Sequence, residues 1–85
     1  MKTITYTIKD EVGIHARPAG LLGKKAKEFS SEITVSNGTK AVNATKIIAL
    51  MGLGVKCGDT ITVTANGVDE DEAIKAMEEF LSANL

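Results

Sequence analysis

The sequence predicts an α+β fold, an open-faced sandwich in which a four-stranded antiparallel sheet carries three helices on one face in the order βαββαβα. Threonine alternates with apolar residues over residues 3–8 and again over 60–65, the period-two pattern of strands wetted on one side. Apolar residues recur at helical spacing over 16–28 and 69–83. An Asn37-Gly38 pair between them suits a hairpin turn. The 85 residues, 44% hydrophobic and 25% charged, are expected to form one domain spanning 1–85, because domains commonly run to roughly 100–150 residues.

The first strand puts Ile4, Tyr6 and Ile8 on one face and Thr3, Thr5 and Thr7 on the other. In the helix after it, residues Ala19, Leu22, Ala26 and Phe29 fall within about 80° of one another at about 100° per residue, forming a core stripe. Arg17, Leu21 and Lys24 point the opposite way, flanked by Gly20 and Lys27, which leaves a leucine exposed among basic groups. Gly20 and Gly23 each weaken a helix by up to ~1 kcal/mol relative to alanine, so either this helix is soft or a partner backbone approaches it closely. Next, a strand at 33–35 pairs with a short one near 40–42 through Ser36-Asn37-Gly38-Thr39, where Asn-Gly favours positive φ.

The middle helix, Ile47-Ile48-Ala49-Leu50-Met51, is apolar all round, so sheet and helices in one layer cannot bury every side of it. Roughly half of the run should be core, and another surface should touch the rest. Gly52, Gly54 and Gly58 end it and turn the chain into the last strand, with Ile61, Val63 and Ala65 inward. The last helix opens with Asp69 and Glu72 at capping-box spacing and carries Ile74, Met77, Phe80 and Leu81 on one stripe. Strand order does not follow from these patterns.

Ten Lys and Arg against eleven Asp and Glu leave a net charge of −1, with no broad basic field for nucleic acid. The apolar run from Ile47, extended even to Val55, falls short of the ~18–20 residues of a spanning helix, so no membrane insertion is expected. The start lacks the apolar segment of a secretory signal, so a cytoplasmic location is expected. One cysteine and one histidine exclude an intrachain disulfide and a zinc site with four N and S ligands; no metal or cofactor is expected. Cys57 has no catalytic partner in sequence, and Gly52-Leu53-Gly54 follows a helix instead of opening one, unlike a dinucleotide-binding loop. The run Asp69-Glu70-Asp71-Glu72 reads as a solvated helix start favoured by the helix dipole, not as a calcium loop.

So small a domain buries only about 60–65% of its unfolded surface and has no room to enclose a substrate. Its chemistry must lie on the surface or at a joint with another protein. The sharpest local signal is Gly13-Ile14-His15-Ala16-Arg17-Pro18-Ala19. Proline is tolerated in a first helical turn, which starts the helix just after His15. The unpaired amides there, around Ala16, Arg17 and Pro18, make an anion site, and Arg17 adds a planar fork of donors suited to phosphate. Neutral imidazole can accept a phosphoryl group on a ring nitrogen while these donors hold its oxygens. Against this, the sequence shows no base or carboxylate partner for His15, which could simply cap a loop while Arg17 is a solvated charge.

The segment GIHARPA, the Asn-Gly hairpin, the apolar run ending in LGV, and the closing ANGVDEDEAIKAMEEFL together resemble the histidine-containing phosphocarrier family HPr of the bacterial phosphoenolpyruvate-dependent sugar phosphotransferase system. The resemblance spans essentially the whole chain. It implies that His15 is phosphorylated on Nδ1 with Arg17 beside it, and that the chain is a substrate of phosphotransferases and not itself an enzyme. It further implies that phosphorylated Enzyme I is the donor and IIA domains of sugar permeases are the acceptors; a monomer is expected, although the sequence does not fix the oligomeric state. Both partners would dock on the first two helices, so Gly20, Leu21, Lys24, Lys27, Ile47, Ile48 and Met51 inherit the interface role. Many relatives have a kinase-modified serine where this chain has Lys46, so catabolite regulation of that kind is not expected. Thr45, the nearest hydroxyl, reads as a helix N-cap in preference to a phosphorylation site. The alternative is a regulatory binding module, or a paralogue in a nitrogen-related phosphotransfer branch, using the same surface.

Overall fold

The alternation of threonine and apolar residues resolves into the two faces of one sheet. The computed structural model describes residues 1–85, folded in the order β1 (Lys2–Thr7), α1 (Ala16–Ala26), β2 (Glu32–Ser36), β3 (Ala41–Asn43), α2 (Ile47–Gly52), β4 (Thr60–Asn66) and α3 (Glu70–Asn84). The strands pair antiparallel in the order β1-β4-β2-β3, giving the open-faced sandwich. β4 is the central staple, running beside β1 from Lys2↔Ala65 to Thr7↔Thr60 and beside β2 on its other edge. No helix is long and apolar enough to cross a membrane.

Ile33, Val35, Ile61, Val63 and Ala65 on the inner face are at most 2% exposed. Onto them pack Ala19, Leu22 and Ala26 of α1, Leu50 of α2, and Ala73, Met77 and Leu81 of α3, all within the same core. Truncating such a buried leucine or methionine to alanine typically costs about 2–5 kcal/mol. The threonines cover the outer face, where the Oγ1 atoms of Thr3 and Thr64 lie 3.3 Å apart and those of Thr7 and Thr60 3.0 Å apart. Such cross-strand pairs contribute about 0.2–1 kcal/mol each.

The two glycines of α1 have different reasons. A Cβ on Gly23 would lie 3.3 Å from Ile47 Cγ1 and 3.4 Å from the Ala44 carbonyl oxygen, so the close approach made there is between α1 and α2 within the molecule. A Cβ on Gly20 would meet nothing within 4 Å, and only local softening of the helix accounts for it internally.

Several expectations change. α1 stops at Ala26, with Lys27 as its C-cap, and Phe29 is only partly buried. The second hairpin strand is Ala41–Asn43, and its turn has positive φ only at Gly38. Asn37 serves there through its side chain, Oδ1 accepting from the amides of Thr39 (2.9 Å) and Lys40 (2.8 Å), and so does not enter the left-handed region itself. Thr45 is not the N-cap of α2; Lys46 is, while the Thr45 hydroxyl and amide both donate to Asn43 Oδ1.

The capping box at the start of α3 does not form either. Asp69 is the N-cap without a side-chain cap bond, because its carboxylate is used across the fold: it accepts from the amides of Ser30 and Ser31, each at 2.8 Å, and from the Ser31 hydroxyl. Glu70 does the local work in place of Glu72, accepting from the Gly67 amide at 3.2 Å. Gly67 is required beside this tie, since a Cβ would stand 2.6 Å from Ser31 Cα. The acidic run is therefore partly a tertiary clasp.

The Ser31 hydroxyl, and then the Ser30 amide, hold the Asp69 carboxyl below its ordinary value of 3.8. A carboxyl lowered on folding contributes stability that is present above that ordinary value and is lost as pH falls through the folded one. Melting temperatures measured from about pH 6 to about pH 2 should therefore drop less steeply at the acid end in Asp69→Asn, which should also melt lower at neutral pH. Parallel curves would exclude the clasp as a source of acid sensitivity.

Candidate functional site

Residues 8–14 carry the chain from β1 to His15, and they are pinned from several sides. Ile8 exchanges backbone bonds with the β4 turn, donating to Asp59 O at 2.9 Å and accepting from Gly58 N at 2.8 Å. The amides of Lys9 and Asp10 donate to Leu85 O at 2.6 and 2.8 Å, and Ile14 N donates to Val55 O at 3.2 Å. Asp10 folds the intervening turn, its Oδ1 accepting from Val12 N at 2.9 Å and its carbonyl from Gly13 N at 3.1 Å. Gly13 has φ +80°, and a Cβ on it would fall 2.3 Å from Val55 O. Ile14, 6% exposed, anchors the residue just before His15 in the core.

His15 then opens α1 as its N-cap, extended at φ −116° and ψ −173°, with its carbonyl accepting from Ala19 N at 2.9 Å. The imidazole makes no cap bond and is half-buried, which leaves its ring nitrogens for another task. Ala16 and Arg17 are exposed, and as the first two residues of the helix their amides have no acceptor within it. Pro18 is buried and contributes a wall, with no N–H to give. Arg17 takes part in no ion pair. An open depression of about 330 Å³ is lined by Asp10, His15, Arg17, Pro18, Leu21 and Asn84.

Two lining residues were not anticipated. Asp10 lines the same depression as His15, an acidic residue the sequence did not associate with it; its acidic character three residues before GIHARPA begins was the available signal. Asn84 comes from the far end of the chain, its Nδ2 donating to Phe80 O at 3.0 Å, and nothing local to it points to the site.

The residues read as a docking surface differ in exposure, and of them Leu21 lines this depression. Ile48 is 79% exposed, Leu21 45% and Ile47 38%. Lys24 and Lys27 are exposed, while Gly20 and Met51 are half-buried, Met51 packing partly on the core. α1 and α2 meet through Gly23 and Ile47, so the two helix surfaces adjoin. Lys46 is exposed at the start of α2. Cys57 is exposed with Sγ 3.8 Å from Lys9 O and does not line the depression.

A free imidazole, two free helix amides and an unpaired guanidinium thus lie together at an open surface depression, the arrangement of an anion-binding helix start. Residues 2–83 match the family described as "PTS HPr component phosphorylation site", and the chain belongs to this PTS-HPr family. It is 44% identical to the phosphocarrier protein HPr of Mycoplasma genitalium over 99% of this chain and 97% of that one. The crystal structure of HPr-C-His from Thermoanaerobacter tengcongensis is similar with a TM-score of 0.92 at 44% identity, covering 98% of this chain and 93% of that one. An HPr dimer from the same organism is similar with a TM-score of 0.77 at 44% identity, covering 98% and 95%. The chain is a phosphocarrier of the phosphotransferase system and not a catalytic enzyme.

Gly13→Ala should lower stability by about 2 kcal/mol or more, since it adds both a positive-φ penalty and a clash with Val55 O. Denaturant unfolding measures it, and a neutral effect would mean the loop is not clamped as described.

Proposed function

We propose that His15 is the phosphoryl acceptor, taking the group on Nδ1 from phosphorylated Enzyme I and passing it to IIA domains of sugar permeases. The observation that carries this reading is the half-buried, unbonded imidazole at the free N-terminus of α1, in one depression with unpaired Arg17. The lone pair of the ring nitrogen attacks phosphorus, the N–P bond forms as the bond to the donor breaks, and the reverse exchange delivers the group to the acceptor. The amides of Ala16 and Arg17 and the Arg17 guanidinium take the charge gathered on the phosphoryl oxygens. Little further machinery is needed, because phosphoryl transfer depends chiefly on positioning and charge stabilisation.

Gly20, Leu21, Lys24, Lys27, Ile47, Ile48 and Met51 form the docking surface in this reading, a small apolar centre with a basic rim. Partners with an apolar patch ringed by carboxylates fit it. The carrier acts as a monomer in the cytoplasm. Regulation by a kinase at the start of α2 is absent from the proposal, since position 46 is lysine and the Thr45 hydroxyl is bonded to Asn43.

Incubation with phosphoenolpyruvate and Enzyme I should add one acid-labile phosphoryl group, and His15→Ala should abolish it without loss of stability, as the side chain makes no cap bond. Arg17→Ala should slow transfer by about ten- to a hundredfold at unchanged melting temperature. Labelling that survives in His15→Ala would overturn the assignment. Ile48→Ala should weaken binding to Enzyme I by about tenfold and leave stability intact, as measured by calorimetry and melting; unchanged affinity would remove Ile48 from the interface.

A further inference from the structure

The depression around His15 holds one carboxylate, that of Asp10, and its position is built. Asp10 is fixed by its amide on Leu85 O (2.8 Å), by its carbonyl under Gly13 N (3.1 Å) and by Oδ1 under Val12 N (2.9 Å). It forms no ion pair with Arg17 or with any other cation. No hydrogen bond joins it to His15 either, so any action on the imidazole is through space. A phosphoryl group on His15 would bring a dianionic charge into the depression that Arg17 and Asp10 also line.

We infer that Asp10 is a positioning residue that tunes transfer potential: its fixed negative charge destabilises the phosphorylated form of His15 and so favours release of the phosphoryl group to the acceptor. The inference rests on the proposed role of His15. Arg17 and the amides stabilise the phosphoryl oxygens, and without an opposing charge they would hold the group in a deeper well. A carrier must bind its cargo loosely enough to give it up, and a like charge in the same depression supplies that offset. The same carboxylate closes the turn that leads to His15, so charge and geometry can be separated by substitution.

Asp10→Asn removes the charge and keeps an oxygen for Val12 N. With catalytic Enzyme I, the ratio of phosphorylated to free carrier at fixed phosphoenolpyruvate and pyruvate should rise about three- to tenfold at low salt. The effect should shrink at about 1 M salt, where the screening length is about 3 Å. Glu11→Gln, one residue on and outside the depression, should shift the ratio by less than about twofold under the same screening argument. Should Asp10→Asn melt markedly lower than the parent, Asp10→Ser, whose hydroxyl can also accept from Val12 N, takes its place. An unchanged ratio in the folded variant, or a rise that ignores salt, overturns the inference while leaving His15 as acceptor. Absence of any label on the parent chain overturns the role of His15 and this inference with it.

Discussion

The clamp on residues 8–14 is the constraint on which the site depends. Val55, Asp59 and Leu85 receive this loop through backbone hydrogen bonds, and Gly13 can lie against Val55 only because it has no side chain. These anchors come from the turn before β4 and from the end of α3, so the imidazole is positioned only once β1 has paired with β4 and α3 has packed on the sheet. A surface site on a small domain thus draws its precision from the whole fold. The loop itself contributes almost no regular structure.

α1 serves two functions from opposite faces. Ala19, Leu22 and Ala26 bury it on the sheet, while Arg17 near the helix start that bears His15, Leu21 in the middle and Lys24 in the last turn remain outside. Gly23 lets α2 come close enough to set Ile47 and Ile48 beside that outer face. The near-neutral net charge therefore conceals a division of labour. Basic groups gather on α1, whereas the acids of α3 begin a helix and, through Asp69, hold the α1–β2 turn.

Much of this was legible in the residues. Threonine alternation marked β1 and β4 with the correct face inward, and the stripe of Ala19, Leu22 and Ala26 marked the buried side of α1. Pro18 located the helix start, and with it the free amides beside His15. The misreadings share a cause. Asp69 with Glu72, and Thr45 before α2, have the local spacing of caps, but each side chain found a stronger or nearer partner: Ser30 and Ser31 for Asp69, Asn43 for Thr45. Local hydrogen-bonding rules describe what a side chain can do, and competition within the folded chain selects among those options.

By itself, then, the sequence determined the elements, their inner faces, the helix start within GIHARPA and the family, because these depend on periodicity and on residues adjacent in the chain. Tertiary structure decided the order β1-β4-β2-β3, the internal purpose of Gly23, and the arrival of Asp10 and Asn84 at one depression. Those facts join residues as far apart as Asp10 and Asn84, and no local pattern encodes a contact whose two halves meet only after the sheet has closed.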